Sequence, residues 1–179
     1  MKKVIFIVVL LSVFTFCNLN SEELTKGVGF TAGQLSGIGF NYRQYFDKNG
    51  MQFTFGFIST SDKAPKFTDS YTNTKTGWEI NGWLSAMYLR TIRDSDNSRF
   101  YFFAGTSINI DRKDVYVQDN SGTVVKTTKN HDKVYFGPGL GMEVKASKYF
   151  SLLFELPVSI SDNKKIVSYI PQGGFIIKF

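Results

Sequence analysis

Cysteine, histidine and proline are scarce in these 179 residues, with one Cys, one His and four Pro. Cys17 ends an N-terminal apolar run, so no disulfide framework is available to the chain. With His131 as its only histidine and with scattered carboxylates, the sequence lacks the ligand spacing of zinc or calcium sites. No catalytic, metal-binding or cofactor-binding residue is assigned, and no cofactor is expected. Helical periodicity is missing beyond the first twenty residues. Also missing is any apolar run of about 20 residues, the length a helix needs to cross a bilayer.

The run that is present, residues 4–16, follows Lys2 and Lys3 and is broken only by Ser12 and Thr15. That is the form of a secretory signal peptide. It predicts an export segment over residues 1–20, cleaved somewhere between Cys17 and Ser21, followed by one domain over residues 21–179. Lipidation of Cys17 is an alternative, although Phe16 is larger than the residue that normally precedes a lipidated cysteine. The net charge of +6 includes Lys2 and Lys3, and subtracting these 2 leaves about +4 on the exported part. Its basic residues are dispersed, which excludes a nucleic-acid footprint.

What the chain has in quantity is aromatic residues and turn formers: 18 Phe, 9 Tyr and 16 Gly. This mixture favours strands and tight connections. Period-two alternation is clearest from Phe150 to Ser161, where Phe150, Leu152, Phe154, Leu156, Val158 and Ile160 oppose Ser151, Leu153, Glu155, Pro157, Ser159 and Ser161. The same pattern marks segments 38–46, 51–57, 100–109 and 136–145. Segment 78–92 alternates least, because both of its faces carry apolar residues. A first strand near 24–33 and a last near 166–179 bring the number to eight.

Their connections alternate in kind. Those at 47–50, 93–98 and 146–148 are compact and polar. On the opposite side, 61–76 and 112–133 are long, while 34–36 and 162–164 are short. Within 112–133, the turn formers Asp119, Asn120, Ser121 and Gly122 lie between Val115, Tyr116, Val117 and Thr123, Val124, Val125. This predicts a β-hairpin rather than an irregular loop.

The expected fold is all-β: an eight-stranded antiparallel up-and-down transmembrane β-barrel following the signal peptide. Eight strands enclose an interior barely wide enough for side chains. The bulky Phe, Leu and Ile faces therefore point to lipid, and the faces mixing Gly, Ser, Thr and a few charges point inward. Arg43, Glu143, Lys145 and Glu155 all fall on the inward parity, where ions persist only if paired or hydrated. They are expected to form a lumen charge network. Phe46, Phe100, Phe150 and Phe179 fall at the tight-turn end of the outward faces, as an aromatic girdle would.

The ending with Gln172, Gly174, Ile177 and Phe179 resembles the C-terminal assembly signal of outer-membrane proteins. With the signal peptide and the eight-strand pattern, the chain resembles the small barrels of the OmpA-transmembrane, OmpX, OmpW and opacity-protein group. The resemblance implies the bacterial outer membrane as location, its lipid and the barrel assembly machinery as partners, and a monomer. It also implies a structural or surface-interaction role through loops 61–76 and 112–133, directed at an extracellular host or glycan ligand. The alternative is a narrow conduit for small apolar molecules or ions. Lipid-modifying barrels pair a His with a Ser; here His131 is followed two residues on by Lys133, so enzyme activity is not expected.

Overall fold

The computed structural model describes residues 25–61, 74–118, 124–162, 166–168 and 170–179. The expected export segment, with Cys17, lies outside the described residues, as do 62–73 and 119–123, which hold the turn expected at Asp119, Asn120, Ser121 and Gly122. Every described element is a strand: β1 (Lys26–Gly33), β2 (Gly37–Phe46), β3 (Asn49–Ser61), β4 (Thr74–Asp94), β5 (Ser98–Gln118), β6 (Val124–Asn130), β7 (Lys133–Lys145), β8 (Phe150–Ser161), β9 (Ile166–Ser168) and β10 (Gln172–Lys178). Neighbours pair antiparallel, and β10 pairs with both β1 and β8, so the sheet closes on itself. Eight strands make the ring. β6 continues the line of β7 along the upper half of β5, and β9 continues that of β10 along β8.

The ring is staggered. Stepping from Val144 through the paired residues Leu152, Phe175, Phe30, Phe40, Phe55, Leu84 and Ile108 leads back to β7 at Val134, ten residues from the start. A stagger of this size in eight strands tilts them by roughly 40° to the barrel axis. All nine residues on this path are apolar, because the alternation of each strand is in register with that of its neighbours. A slip of one residue in any pair would turn its lipid-type face inward.

Two parts of the chain differ from the sequence expectation, and a third, region 112–133, agrees with it. β3 continues to Ser61 and β4 begins at Thr74, so strand takes up both ends of the expected 61–76 connection, and β4 and β5 run for 21 residues each. Extended pairing satisfies backbone groups that a loop would leave to water. Region 112–133 is a hairpin whose arms pair from Arg112 with Asn130 to Gln118 with Val124. The last strand is divided between β9 and β10, with Ile170 and Pro171 between them; Pro171 has no N–H to give a ladder.

The interior also departs from the expected mixture of small and charged residues. Leu35, Tyr45, Met87, Leu89, Tyr101 and Phe103 form an apolar cluster inside the barrel. Leu35 belongs to the short β1–β2 connection, which folds down into the barrel instead of standing above it.

Candidate functional site

The interior is organised around Arg43, whose position on β2 aims it across the lumen. It is fully buried and reaches residues from four other strands. Its Nη2 lies 2.7 Å from Glu155 Oε1 of β8, and its Nε donates to Gln52 Oε1 of β3 at 2.7 Å. Its Nη1 donates to the Tyr101 hydroxyl of β5 at 3.0 Å and to Tyr45 at 3.1 Å. Tyr101 donates in turn to Glu155 at 2.7 Å, and Tyr45 donates to Glu143 of β7 at 2.8 Å. Glu143 stands 4.0 Å from Arg43 and also pairs with Lys178 of β10. Each buried charge thus has an opposite charge and hydrogen bonds, the condition under which ions survive out of water.

Gln172 joins this network to the β1–β2 connection. Its amide nitrogen donates to Glu155 Oε2 at 2.8 Å, while its oxygen accepts from the backbone N–H groups of Leu35 and Ser36 at 3.2 and 3.1 Å. The hydroxyls of Ser85 and Ser107 donate to the carbonyls of Ser36 and Gln34. The connection is therefore held from β4, β5 and β10 and lies as a plug over the Arg43 cluster. Gly37 follows it with φ +77°, a left-handed backbone that L residues rarely adopt.

Of the four charges expected to meet in the lumen, the structure brings Arg43, Glu143 and Glu155 together. Lys145 is elsewhere: as the last residue of β7 it reaches the neighbouring turn, 2.6 Å from Asp94 Oδ1 and 2.7 Å from the Ser95 carbonyl. Arg99 shares Asp94 at 2.6 Å and lies 3.9 Å over the Tyr45 ring. The expected charge network does not include Tyr45, Gln52, Tyr101 and Lys178, though all four sit on the inward parity that selects Arg43.

The residues of the expected assembly signal take distinct positions. Gln172 is the lumen connector just described. At Gly174 a Cβ would come within 2.2 Å of the Phe30 carbonyl, so β1 and β10 approach there too closely for a side chain. Ile177 and Phe179 face outward and are exposed. The outer surface is the inverse of the interior, with Phe40 77% exposed, Phe57 65% and Leu156 59%, while Ser151, Ser159, Gln52 and Thr54 are buried.

Above this surface stands the β5–β6 hairpin, with every residue of β6 exposed. Asp114 pairs with Lys126 at 2.8 Å and accepts from the Thr128 hydroxyl at 2.8 Å. These hydrogen bonds, Lys126 first, hold its carboxyl below the usual range. Lys113 pairs with Glu79 of β4 at 3.3 Å, bracing the hairpin against the taller wall. His131, between β6 and β7, donates its backbone N–H to the Asp111 carbonyl and leaves its side chain exposed. Among the described residues, no three of His, Cys, Asp and Glu gather where a metal ion could be held.

No protein-family model and no curated protein matches the chain. Among solved structures it is similar to Ail, the attachment invasion locus protein of Yersinia pestis, at 11% identity and TM-score 0.42, over 86% of this chain and 93% of that one. It is also similar to CarO2 of Acinetobacter baumannii, at 14% identity and TM-score 0.39, over 89% of this chain and 100% of that one.

Proposed function

We propose that the chain is an integral outer-membrane barrel protein with a surface-interaction role, carrying the β5–β6 hairpin outside the cell. The observation that supports this best is the inversion of burial, with an outer band of Phe, Leu, Ile and Val around an interior of Arg, Glu, Gln and Ser. A water-soluble barrel places its bulky apolar residues inside, and exposed apolar patches larger than a few hundred Å² are rare on soluble monomers. From Phe100 and Phe150 at the tight-turn end to Ile110 and Val134 above, the staggered band is about 25 Å tall, the height of the apolar belt of outer-membrane barrels. By the same pattern the tight turns face the periplasm and the long arms face outward.

The hairpin supports the interaction role because it is ordered by pairing and fully solvated on β6. Arg112, Lys113, Lys126, Lys129 and Lys133 outnumber Asp114, Asp119 and Asp132 there, which suits an anionic partner such as lipopolysaccharide or a host glycan. A conduit is not favoured, since the plug and the Arg43 cluster cross the lumen at successive levels.

Fractionation with a gel-shift assay tests the membrane part. The protein should enter the outer-membrane fraction and migrate differently in detergent unheated and boiled; recovery in the soluble fraction would overturn it. Excising residues 115–128 should abolish binding to glycan- or lipopolysaccharide-coated surfaces while keeping the heat shift. Unchanged binding would remove the hairpin's role and leave the barrel standing.

A further inference from the structure

The outer face of β1–β4 carries an apolar trough of about 810 Å³, walled by Phe30, Phe40, Tyr42, Phe53, Phe55 and Leu84. Its floor is backbone, because the intervening side chains of Asn41 and Thr54 turn into the lumen. Below it, toward the tight turns, the outward residues change character. The Tyr42 hydroxyl donates to Gln44, and Asn49 Oδ1 accepts from both the Tyr88 hydroxyl and Arg90 Nη1, the latter at 2.7 Å. The other N–H groups of Arg90 have no partner among the described residues.

Two more cations stand at this corner. The pairing of β4 with β5 is irregular between Thr91 and Arg93, and the extra residue brings Arg93 opposite Phe100, whose side chain faces outward. Re-aiming a side chain is a known use of a β-bulge; regular alternation would have sent Arg93 inward. Lys48 is exposed in the β2–β3 turn, where its carbonyl accepts the Thr91 N–H at 2.7 Å and fixes the turn against β4. The exposed carboxylates alongside are Asp47 and, in the β4–β5 turn, Asp96, whereas Asp94 is committed to Lys145 and Arg99. The corner is therefore net positive.

Resting on the membrane reading above, we infer that this corner and the trough form one site for an anionic glycerophospholipid of the inner leaflet. Arg90, Arg93 and Lys48 hold its headgroup and the trough takes its acyl chains. The dimensions agree. From the pair Asn49–Arg90 to the pair Phe55–Leu84 is six residues, roughly 20 Å along tilted strands and about 15 Å in height, the depth of one leaflet. Any acyl chain could line the trough, but three cations against two carboxylates leave the corner net positive and select a lipid with net negative charge. A second copy is disfavoured as occupant, because a two-fold contact here would bring like charges together.

Native mass spectrometry of the full barrel from nanodiscs of equal phosphatidylglycerol and phosphatidylcholine tests this. Wild type should retain phosphatidylglycerol preferentially, and the double variant Arg90→Gln, Arg93→Gln should lose about fivefold of that preference. Lys148→Gln, an exposed cation at the same end but across the ring in the β7–β8 turn, should not change it. The heat shift of the same samples reports insertion. If wild type fails to insert, the membrane reading and this site fall together. If it inserts but shows no preference, if the double variant keeps it, or if a protein dimer appears in place of bound lipid, the lipid site falls and the barrel stands.

Discussion

At the scale of single residues, the interior is decided by who pairs with whom. Removing Arg43 leaves Glu155 and Glu143 without their shared cation in a space that admits little water. Arg43→Met should therefore cost about 3–5 kcal/mol in urea unfolding from lipid vesicles. Lys145→Met should cost under about 1 kcal/mol, since its pairing with Asp94 is at the solvated rim. Equal losses would mean that the Arg43 cluster holds no special place in the fold. The alternation in the sequence was enough to put Arg43, Glu143 and Glu155 on the inward side. It was not enough to name their partners, because Tyr101 and Glu155 lie 58 and 112 residues from Arg43 and are aligned with it by the stagger of the closed ring. Lys145 shows the same limit: inward parity fixes which way it points, and its place at the end of β7 fixes what it reaches.

At the scale of elements, β8 is a depth gauge. Its outward residues descend from Ile160 through Leu156 to Phe150, from one edge of the apolar band to the other. Leu156→Arg should cost roughly 2–4 kcal/mol in refolding into lipid, and Phe150→Arg or Ile160→Arg about 1 kcal/mol or less. A flat profile would contradict the band's placement. The hairpin makes a different prediction, in pH. Asp114 is depressed by its bonds to Lys126 and Thr128, so its contribution is complete above the ordinary carboxylate pKa and is lost as pH falls through the lower folded value. Amide protection at Val115 and Thr127, corrected for intrinsic exchange, should fall in that acidic window, and Asp114→Asn should remove the dependence. Strands such as β8 were legible because one face is Ser and Glu and the other Phe and Leu. β4 was harder to delimit, since Met87 and Leu89 pack inside against Tyr101 and Phe103 while Leu84 and Tyr88 face out. The inward fold of residues 34–36 left no periodic signal, being fixed by serine hydroxyls on distant strands.

At the scale of the whole molecule, the chain closes on its own last residues. Phe179 lies past the final ladder pair, where its N–H donates to the Lys26 carbonyl and its ring is exposed. If the C-terminal residues serve as the proposed assembly signal, deleting Phe179 should lower surface density in living cells and should change the stability of a barrel already refolded in vitro by only about 1 kcal/mol. Normal surface density after deletion would count against an assembly role.

The bonds of β10 carry a further consequence. Gln172 and Lys178 reach Glu155, Glu143 and the plug only after the last strand has met both β1 and β8. In the open sheet those charges are hydrated and cost little. Once the ring shuts they are stripped of water and satisfied by one another, so parting β1 from β10 must expose several at once with no partial substitute. Such an arrangement behaves as a latch. It adds little to the rate of closing, which precedes it, and it acts almost wholly against reopening, so the barrel's persistence is set by a slow unfolding rate more than by its equilibrium stability.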